Sequence, residues 1–550
     1  MNSLLRSNLT VATGTALSRV TGLLRIMVFG WIIGQTALSD AYLIANETPN
    51  IVYDLLLGGV LSATLVPLFS SFIETEDDEA TNVVITISAT LMVALTAVAV
   101  VAAPLIFRIY TLNPSSDVDP DLLRQVGTML ARIFLIQILF YGLTGLANAF
   151  LNARRRFFAA AWSPVASNLV IIVTLLTLRD RTWELADVIT DGRLRWTLGL
   201  GATGGIAAMA IIVVIAAART GFRFRPSWNW KHPVVRKLLA LSAWTLGFVI
   251  ANQVALIFIR NLAEPGSSDA TAYFTAFTFF VLPHGLLAVS ISTTFQPEMS
   301  RAVARKDKAS FIEQTSLGIR LISLFTLPAG FGIFVLRRQI VGALLEYRNF
   351  SAEAAENTAD ALAGFSLGLV GFSVYMFVLR GFYAHHDTRT PFIVNVGENA
   401  LNIALAFILV DRYGVLGLGL AFAIAYLVSA VWVLKVLSYK VRGFSLRPIL
   451  ASFWKMLLAA VLMTEAVWLI THDVTPDSGW RAVAQLIVGA VVGAIVYGCV
   501  LLAVRAPELE SIRRRLPGSG STEPDPVEPE PTDADPTEPG LSKPESAEST

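Results

Sequence analysis

Long apolar blocks, broken by short polar interruptions, fill almost the whole chain. They lie near residues 8–33, 40–72, 83–110, 122–151, 157–178, 196–218, 237–260, 270–299, 309–336, 353–384, 390–410, 414–436, 449–471 and 481–504. Each meets the length of about 20 residues that a helix needs to cross a bilayer core. Helices are the expected element, because lipid offers no hydrogen-bond partner to an open strand. The interruptions carry turn residues, as in Asn113-Pro114-Ser115-Ser116 and Pro265-Gly266-Ser267-Ser268. The pattern predicts an all-α polytopic membrane protein of about 14 transmembrane helices. Ser18 and Arg19 interrupt the first block and no small-residue cleavage site follows, so it reads as a span and not as a cleaved signal peptide.

Composition agrees. The 550 residues are 54% hydrophobic and 15% charged, with mean hydropathy +0.62. A soluble enzyme, a nucleic-acid binder and a secreted disulfide scaffold all fit poorly. The single cysteine, Cys499, excludes an internal disulfide. The net charge of +1 averages two unlike regions. From Pro517 onward nine acids face one lysine, Lys543, so the remainder is strongly cationic. Residues 507–550, rich in Pro, Glu, Asp, Ser and Thr, are expected to form a disordered cytoplasmic tail. It reads as a solubilising extension or as a dock for a cytoplasmic partner.

Basic residues orient the bundle. With a cytoplasmic N-terminus, Arg154-Arg155-Arg156, Arg219 to Lys237, Arg301 to Lys308 and Lys435 to Arg447 all fall inside. The acidic stretch Glu74 to Glu79 runs against the trend. An even helix count places both termini in the cytoplasm.

The chain also repeats itself. Ser62-Ala63-Thr64-Leu65-Val66-Pro67-Leu68-Phe69-Ser70 and Ser292-Thr293-Thr294-Phe295-Gln296-Pro297-Glu298-Met299-Ser300 share one pattern. Ser39-Asp40-Ala41 matches Ser268-Asp269-Ala270, and Pro164 with Asn168 matches Pro391 with Asn395. All three pairs share an offset of about 230 residues. An even number of spans separates partners, so the repeats run parallel. Two parallel six-helix lobes around a central cavity follow, spanning 1–220 and 221–445, with two extra helices in 446–506. Such lobes can rock about a midplane site, which is transporter architecture.

Ionisable residues inside the membrane are functional candidates. Arg19 and Arg25 lie in the first span with Gly22 between them; six residues apart, their side chains diverge by about 120°. Ser18 precedes them. The second span carries Asn46, Glu47, Asn50 and Asp54 around Pro49, whose missing N–H kinks the helix. Glu47 and Asp54 share a face and could pair with Arg19 and Arg25. Asp40 reads as a helix N-cap. In the eleventh span Asn395, Glu398, Asn399 and Asn402 form one stripe. Their oxygens suit Na⁺, Glu398 could instead carry a proton, or the amides could simply bond between helices. Arg320, Arg380 and Glu465 are further buried-charge candidates, and Arg132 belongs nearer the outer interface. His284 reads equally as an interior histidine or a relay. Walker loop, H-E-x-x-H and nucleophile elbow are all lacking. His385-His386-Asp387 reads as a loop and not a metal site, and no cofactor is expected beyond coupling to Na⁺, H⁺ or the membrane potential.

Several segments resemble the MurJ/MviN lipid II flippases of the multidrug/oligosaccharidyl-lipid/polysaccharide exporter superfamily. They are Ser18-Arg19-Val20-Thr21-Gly22-Leu23-Leu24-Arg25, Ser39-Asp40-Ala41-Tyr42, Pro49-Asn50, Leu61-Ser62-Ala63, Val66-Pro67, Asn148-Ala149-Phe150-Leu151-Asn152, Phe382-Tyr383-Ala384 and Asp387-Thr388-Arg389-Thr390-Pro391. They occur in order across residues 1–440. The resemblance implies a non-enzymatic flippase of the bacterial inner membrane. Its cargo would be lipid II, an undecaprenyl-pyrophosphate-linked peptidoglycan precursor, carried among membrane lipids. It also implies that Arg19 and Arg25 hold the pyrophosphate and that the last two helices form a groove for the lipid tail. Arginine suits that role, since its fork matches phosphate oxygens and stays charged when desolvated. The chain departs from the family pattern at Ile26, at Tyr53 and Asp54, and at Thr278, where many members carry an acid, a base and an arginine respectively. Rival readings are an exporter of another oligosaccharide-lipid or of a drug, a membrane-embedded glycosyltransferase, and a non-transporting scaffold.

Overall fold

The computed structural model describes residues 2–57, 60–472 and 478–508; side chains of 2–10, 12, 51–57, 60–64, 67, 236–246 and 248–249 lie outside that description. Asp54 and most of the acidic tail therefore lie outside the described side chains. Among the described residues every regular element is helical. The first half of the chain runs through α1 (Asn2–Ile33), α2 (Ala37–Leu57), α3 (Val60–Glu74), α4 (Asp78–Ile109), α5 (Pro120–Phe134), α6 (Gln137–Ala153), α7 (Phe158–Leu176), the short α8 (Asp187–Thr190) and α9 (Gly192–Ala218). The second half holds α10 (Pro233–Leu262), α11 (Asp269–Pro283), a π-helical turn (His284–Ala288), α12 (Val289–Ala304), α13 (Lys308–Leu344), α14 (Ala352–Ser366), α15 (Leu369–Ala384) and α16 (Arg389–Lys440). The last pair is α17 (Arg447–Thr471) and α18 (Gly479–Ala503).

Local chemistry sets the boundaries. Asp77, Asp191, Asp307 and Ser351 each accept a backbone N–H in the first turn of α4, α9, α13 and α14. Pro283 removes a donor where the π-helical turn begins. Gly414, at φ 52° and ψ −133°, breaks α16 into two arms. Ten helices among the described residues are long and apolar enough to cross a membrane, or eleven if the bent pair α14–α15 is one span. The apolar blocks of the sequence number three more: α2–α3, α10 and the second arm of α16. Apolar side chains such as Val101, Ile408 and Val431 stand exposed on the flanks, where lipid and not water is the matching solvent.

Helix packing repeats between the halves. In the first, α1 packs on α7, α2 on α5, α3 on α6 and α4 on α5; in the second, α10 packs on α16, α11 on α14, α12 on α15 and α13 on α14. The repeated asparagines make the same link. Asn168 Nδ2 in α7 donates to Ser18 O and Thr21 Oγ1 of α1, while Asn395 Nδ2 in α16 donates to Asn252 Oδ1 of α10. Helices α17 and α18 pack on each other and on α13. Close approach needs glycine where α14 meets the second arm of α16: a Cβ on Gly364 would lie 2.7 Å from Leu416 O, and one on Gly419 2.7 Å from Ala361 O.

The turn between α15 and α16 confirms the loop reading of His385-His386-Asp387. His386 adopts φ 59°, and His385 Nδ1 bonds Gly381 O. Asp387 accepts from Thr390 N at 3.0 Å, Thr390 Oγ1 at 2.7 Å and Lys440 Nζ at 2.6 Å, tying the start of α16 to its end. Partial burial pushes the Asp387 carboxyl up, but the Lys440 ammonium and the Thr390 donors outweigh it and hold it at about 2, below the ordinary 3.8. A depressed carboxyl contributes stability that is present above its unfolded value and lost as pH falls through its folded one. Asp387→Asn should therefore lower the thermal midpoint in detergent near neutral pH, with the deficit closing between about pH 4 and pH 2. A deficit that stays constant across that window would refute the pairing.

Candidate functional site

At one end of the bundle the two halves are stitched together. Asp40, in the first turn of α2, is fully buried. Its Oδ2 accepts from Gly266 N (2.8 Å) and Ser268 N (3.1 Å), and its Oδ1 from Thr271 N (2.8 Å) and Thr271 Oγ1 (2.5 Å). The N-cap expectation holds with a correction: Asp40 caps α11, a helix of the other half, and not its own. Anionic oxygens at a helix N-terminus suit both its unpaired N–H groups and its dipole. Ser39 Oγ bonds Thr271 Oγ1 at 2.9 Å, so the repeated Ser-Asp segments meet face to face. Around them Trp31 Nε1 donates to Leu344 O, Asn349 Nδ2 to Ile32 O, and Thr358 Oγ1 to Gln35 Oε1.

Below the seal lies a cavity of about 220 Å³, bounded by α1, α2, α6, α7, α9 and α11. Arg25, Asn46, Glu47 and Asn50 line it, with Gln137 and Tyr141 opposite. Gln137 Nε2 donates to Asn46 Oδ1 at 3.2 Å and fixes that amide. Thr278 also lines the cavity.

Glu47 does not pair with Arg19 or Arg25, as expected from sequence. It binds Arg260 Nη2 at 2.6 Å. Arg260 stands at the end of α10, its side chain fully buried between Tyr110 and Phe274, with ring centroids at 4.8 Å and 4.6 Å. Its Nε and Nη1 have no hydrogen-bond partner among the described residues. Arg260 escaped the sequence reading because it closes an apolar block and looks like a loop residue there. The signal available was a base within reach of the cavity from the span equivalent to α1.

With Glu47 engaged, Arg25 is left without an ion pair or hydrogen bond among the described residues, half-buried and facing the cavity. Arg19 is exposed, with Nη2 against Gly285 of the π-helical turn, and does not line the same cavity. Ser18 contributes its carbonyl to the α1–α7 contact and not to the cavity. Arg380 Nη1 donates to Gln296 Oε1 at 3.1 Å, and His284 Nδ1 meets Ser373 Oγ at 3.0 Å, which makes it a bonded interior histidine. Arg320 is half-buried on α13, Arg132 exposed on α5 and Glu465 exposed on α17, all outside the cavity.

The polar stripe of α16 divides in two. Asn252 Oδ1 accepts from both Asn395 Nδ2 (3.1 Å) and Asn399 Nδ2 (3.0 Å), zipping α10 to α16. Glu398 turns toward the hydroxyl of Tyr426 instead. Asn402 is buried with its Oδ1 unpartnered among the described residues. No group of three or more His, Cys, Asp and Glu side chains suited to a metal occurs among the described residues.

A family model described as lipid II flippase MurJ matches residues 30–486, most of the chain. The chain belongs to the MurJ lipid II flippase family. A probable lipid II flippase MurJ of Haemophilus influenzae is 28% identical over 90% of this chain and 99% of its own. The lipid II flippase MurJ of Burkholderia cenocepacia is 27% identical over 84% and 89%. A solved structure of lipid II flippase MurJ in an inward closed conformation superposes with TM-score 0.73 at 23% identity, covering 90% of this chain and 99% of that one. An inward-facing multidrug transporter of the MATE family and MOP superfamily shares the fold more distantly, with TM-score 0.61 at 14% identity.

The ion pair that crosses between the halves has a measurable consequence. Glu47→Ala strands the buried Arg260 guanidinium and should cost about 3 kcal/mol. Adding Arg260→Met should recover most of that loss in equilibrium unfolding in detergent; additive losses would show that the pair is not coupled. Asp40→Ala should cost about 3 kcal/mol by leaving three backbone N–H groups unpaired, and Asp40→Asn less. Equal losses for the two would exclude hydrogen bonding as the cause.

Proposed function

We propose that this chain carries lipid II, an undecaprenyl-pyrophosphate-linked peptidoglycan precursor, from the inner to the outer leaflet of the bacterial cytoplasmic membrane by alternating access. The observation that carries this reading is Arg25 in the cavity, without an ion pair among the described residues. A guanidinium in a membrane cavity without an ion-pair partner is a costly arrangement that an arriving anion completes. Pyrophosphate supplies that anion in bidentate geometry. Arg19, nearer the cytoplasmic end of α1, meets the headgroup first, and Arg25 receives it deeper in.

In this reading lobes 1–220 and 221–445 rock about the cavity, both termini remain cytoplasmic, and α17 and α18 accompany the lipid tail. The sealed end is the closed outer gate. Outward opening requires Asp40 to release α11 and separates Glu47 from Arg260. Moving one charge across 100 mV is worth about 2.3 kcal/mol, so the membrane potential can bias the cycle. A cationic drug is the less favoured cargo, because the cavity carboxylate Glu47 is already committed to Arg260.

Complementation of a strain depleted of its lipid II flippase tests the proposal. The parent chain should restore growth. Arg25→Ala should lower viable counts by at least about tenfold at equal membrane abundance, and Arg25→Lys should retain part of the function. Growth with Arg25→Ala indistinguishable from the parent would refute the role given to this residue. Failure of the parent chain, folded and expressed, would refute the cargo.

A further inference from the structure

The second half of the chain contains a buried carboxyl that the cavity does not use. Glu398 is 1% exposed. The Tyr426 hydroxyl bonds it, and Tyr273 and Tyr375 lie within electrostatic range. Phenylalanine rings wall off this group: Phe365, Phe372 and Phe422 stack through one another onto Tyr426 and Tyr273. The elements packed against this arm of α16 bring no cation to it among the described residues. Helix α10 presents the neutral Asn252, α11 presents Tyr273 and α15 presents Tyr375. On α14, Asp360 feels the opposing charges of Arg337 and Glu356.

Three oxygens in this one region are buried and unpartnered among the described residues: Glu398 Oε2, Asn395 Oδ1 and Asn402 Oδ1. A buried carboxylate with no cation beside it is far costlier than a neutral carboxyl. Orphaned oxygens in a polar recess also supply the partners that water or a proton donor requires. The amide cluster beside it carries no charge, and its donors are already spent between α10 and α16.

We propose that Glu398 is a proton-binding site of the second lobe: neutral while the tyrosine cage is closed, it releases one proton to water when the helices that form the cage part, and the Asn252–Asn395–Asn399 cluster is a structural link and not a cation site. The step changes the side chain from carboxylic acid to carboxylate, with the proton leaving to water and no electrons transferred. The cage is built from α11, α15 and both arms of α16, so any rocking of α11 at the seal alters it. Gly414, between the arms, provides the hinge. The proposal rests on the alternating-access reading but not on the identity of the cargo.

The experiment uses the full chain in nanodiscs without cargo, with Cys499→Ser and spin labels at Asp180→Cys and Glu353→Cys, exposed positions on opposite halves at the sealed end. Electron–electron distances are read between about pH 5 and pH 9, in sodium and in choline buffers. The parent should show a distance change with a one-proton midpoint, equal in both buffers. Glu398→Gln should hold the low-pH distance throughout. Tyr426→Phe, a mild change that guards against misfolding of the first variant, should displace the midpoint while keeping the response. The proposal is overturned if Glu398→Gln keeps the parent's response, if the parent shows none, or if sodium at constant pH reproduces the change. Because no cargo is present, such a failure is separable from a failed complementation.

Discussion

Asp40 is the point on which the arrangement of the halves depends. One side chain from α2 satisfies three backbone N–H groups and a hydroxyl at the start of α11. A polar backbone group closed off by protein needs a protein partner, and Asp40 and Thr271 are both buried, so the helix start is capped from within. Supplying that cap from the other half joins the halves at one end and leaves the region below free to form a cavity. The same contact brings the two copies of the Ser-Asp repeat together, so the internal duplication produces its own interface.

Charge in the cavity follows from how the few ionisable groups are committed. Three of them matter: Glu47, Arg260 and Arg25. Glu47 neutralises Arg260, which is sandwiched between two rings and would otherwise be a bare buried cation. That leaves Arg25 as the basic group facing the cavity without an ion pair among the described residues. Had Glu47 bound Arg25, the excess positive charge would have lain on Arg260, buried between its two rings and outside the cavity lining. The choice of partner therefore sets where that excess charge lies. A contact across the halves also couples its placement to their relative position.

Much of this architecture was legible in the residues. The apolar blocks located the helices because a span must be about 20 residues long whatever its neighbours. The repeated Pro-x-x-x-Asn pattern foretold equivalent positions, and Asn168 and Asn395 do bridge equivalent helix pairs. Arg25, Asn46, Glu47 and Asn50 were all named from one-dimensional position and all line one cavity. Partners were not legible. Arg260 lies 213 residues from Glu47 in sequence, and no spacing rule reaches across that separation. The stripe on α16 misled for the opposite reason. A shared helix face spans more than 100°, wide enough for Asn395 and Asn399 to meet α10 while Glu398 meets the second arm.

The sequence by itself determined that this is a membrane-spanning helical protein, with motifs that recur along the chain and resemble those of lipid II flippases. Those properties reside in hydrophobic length, local turn chemistry and ordered motifs, which do not need a partner to be read. The tertiary structure decided which charges cancel, which helix Asp40 caps, and which arginine Glu47 engages. In a low-dielectric interior, an ion's cost is set by the few atoms within several ångströms of it. Those atoms come from distant parts of the chain, and only folding brings them together.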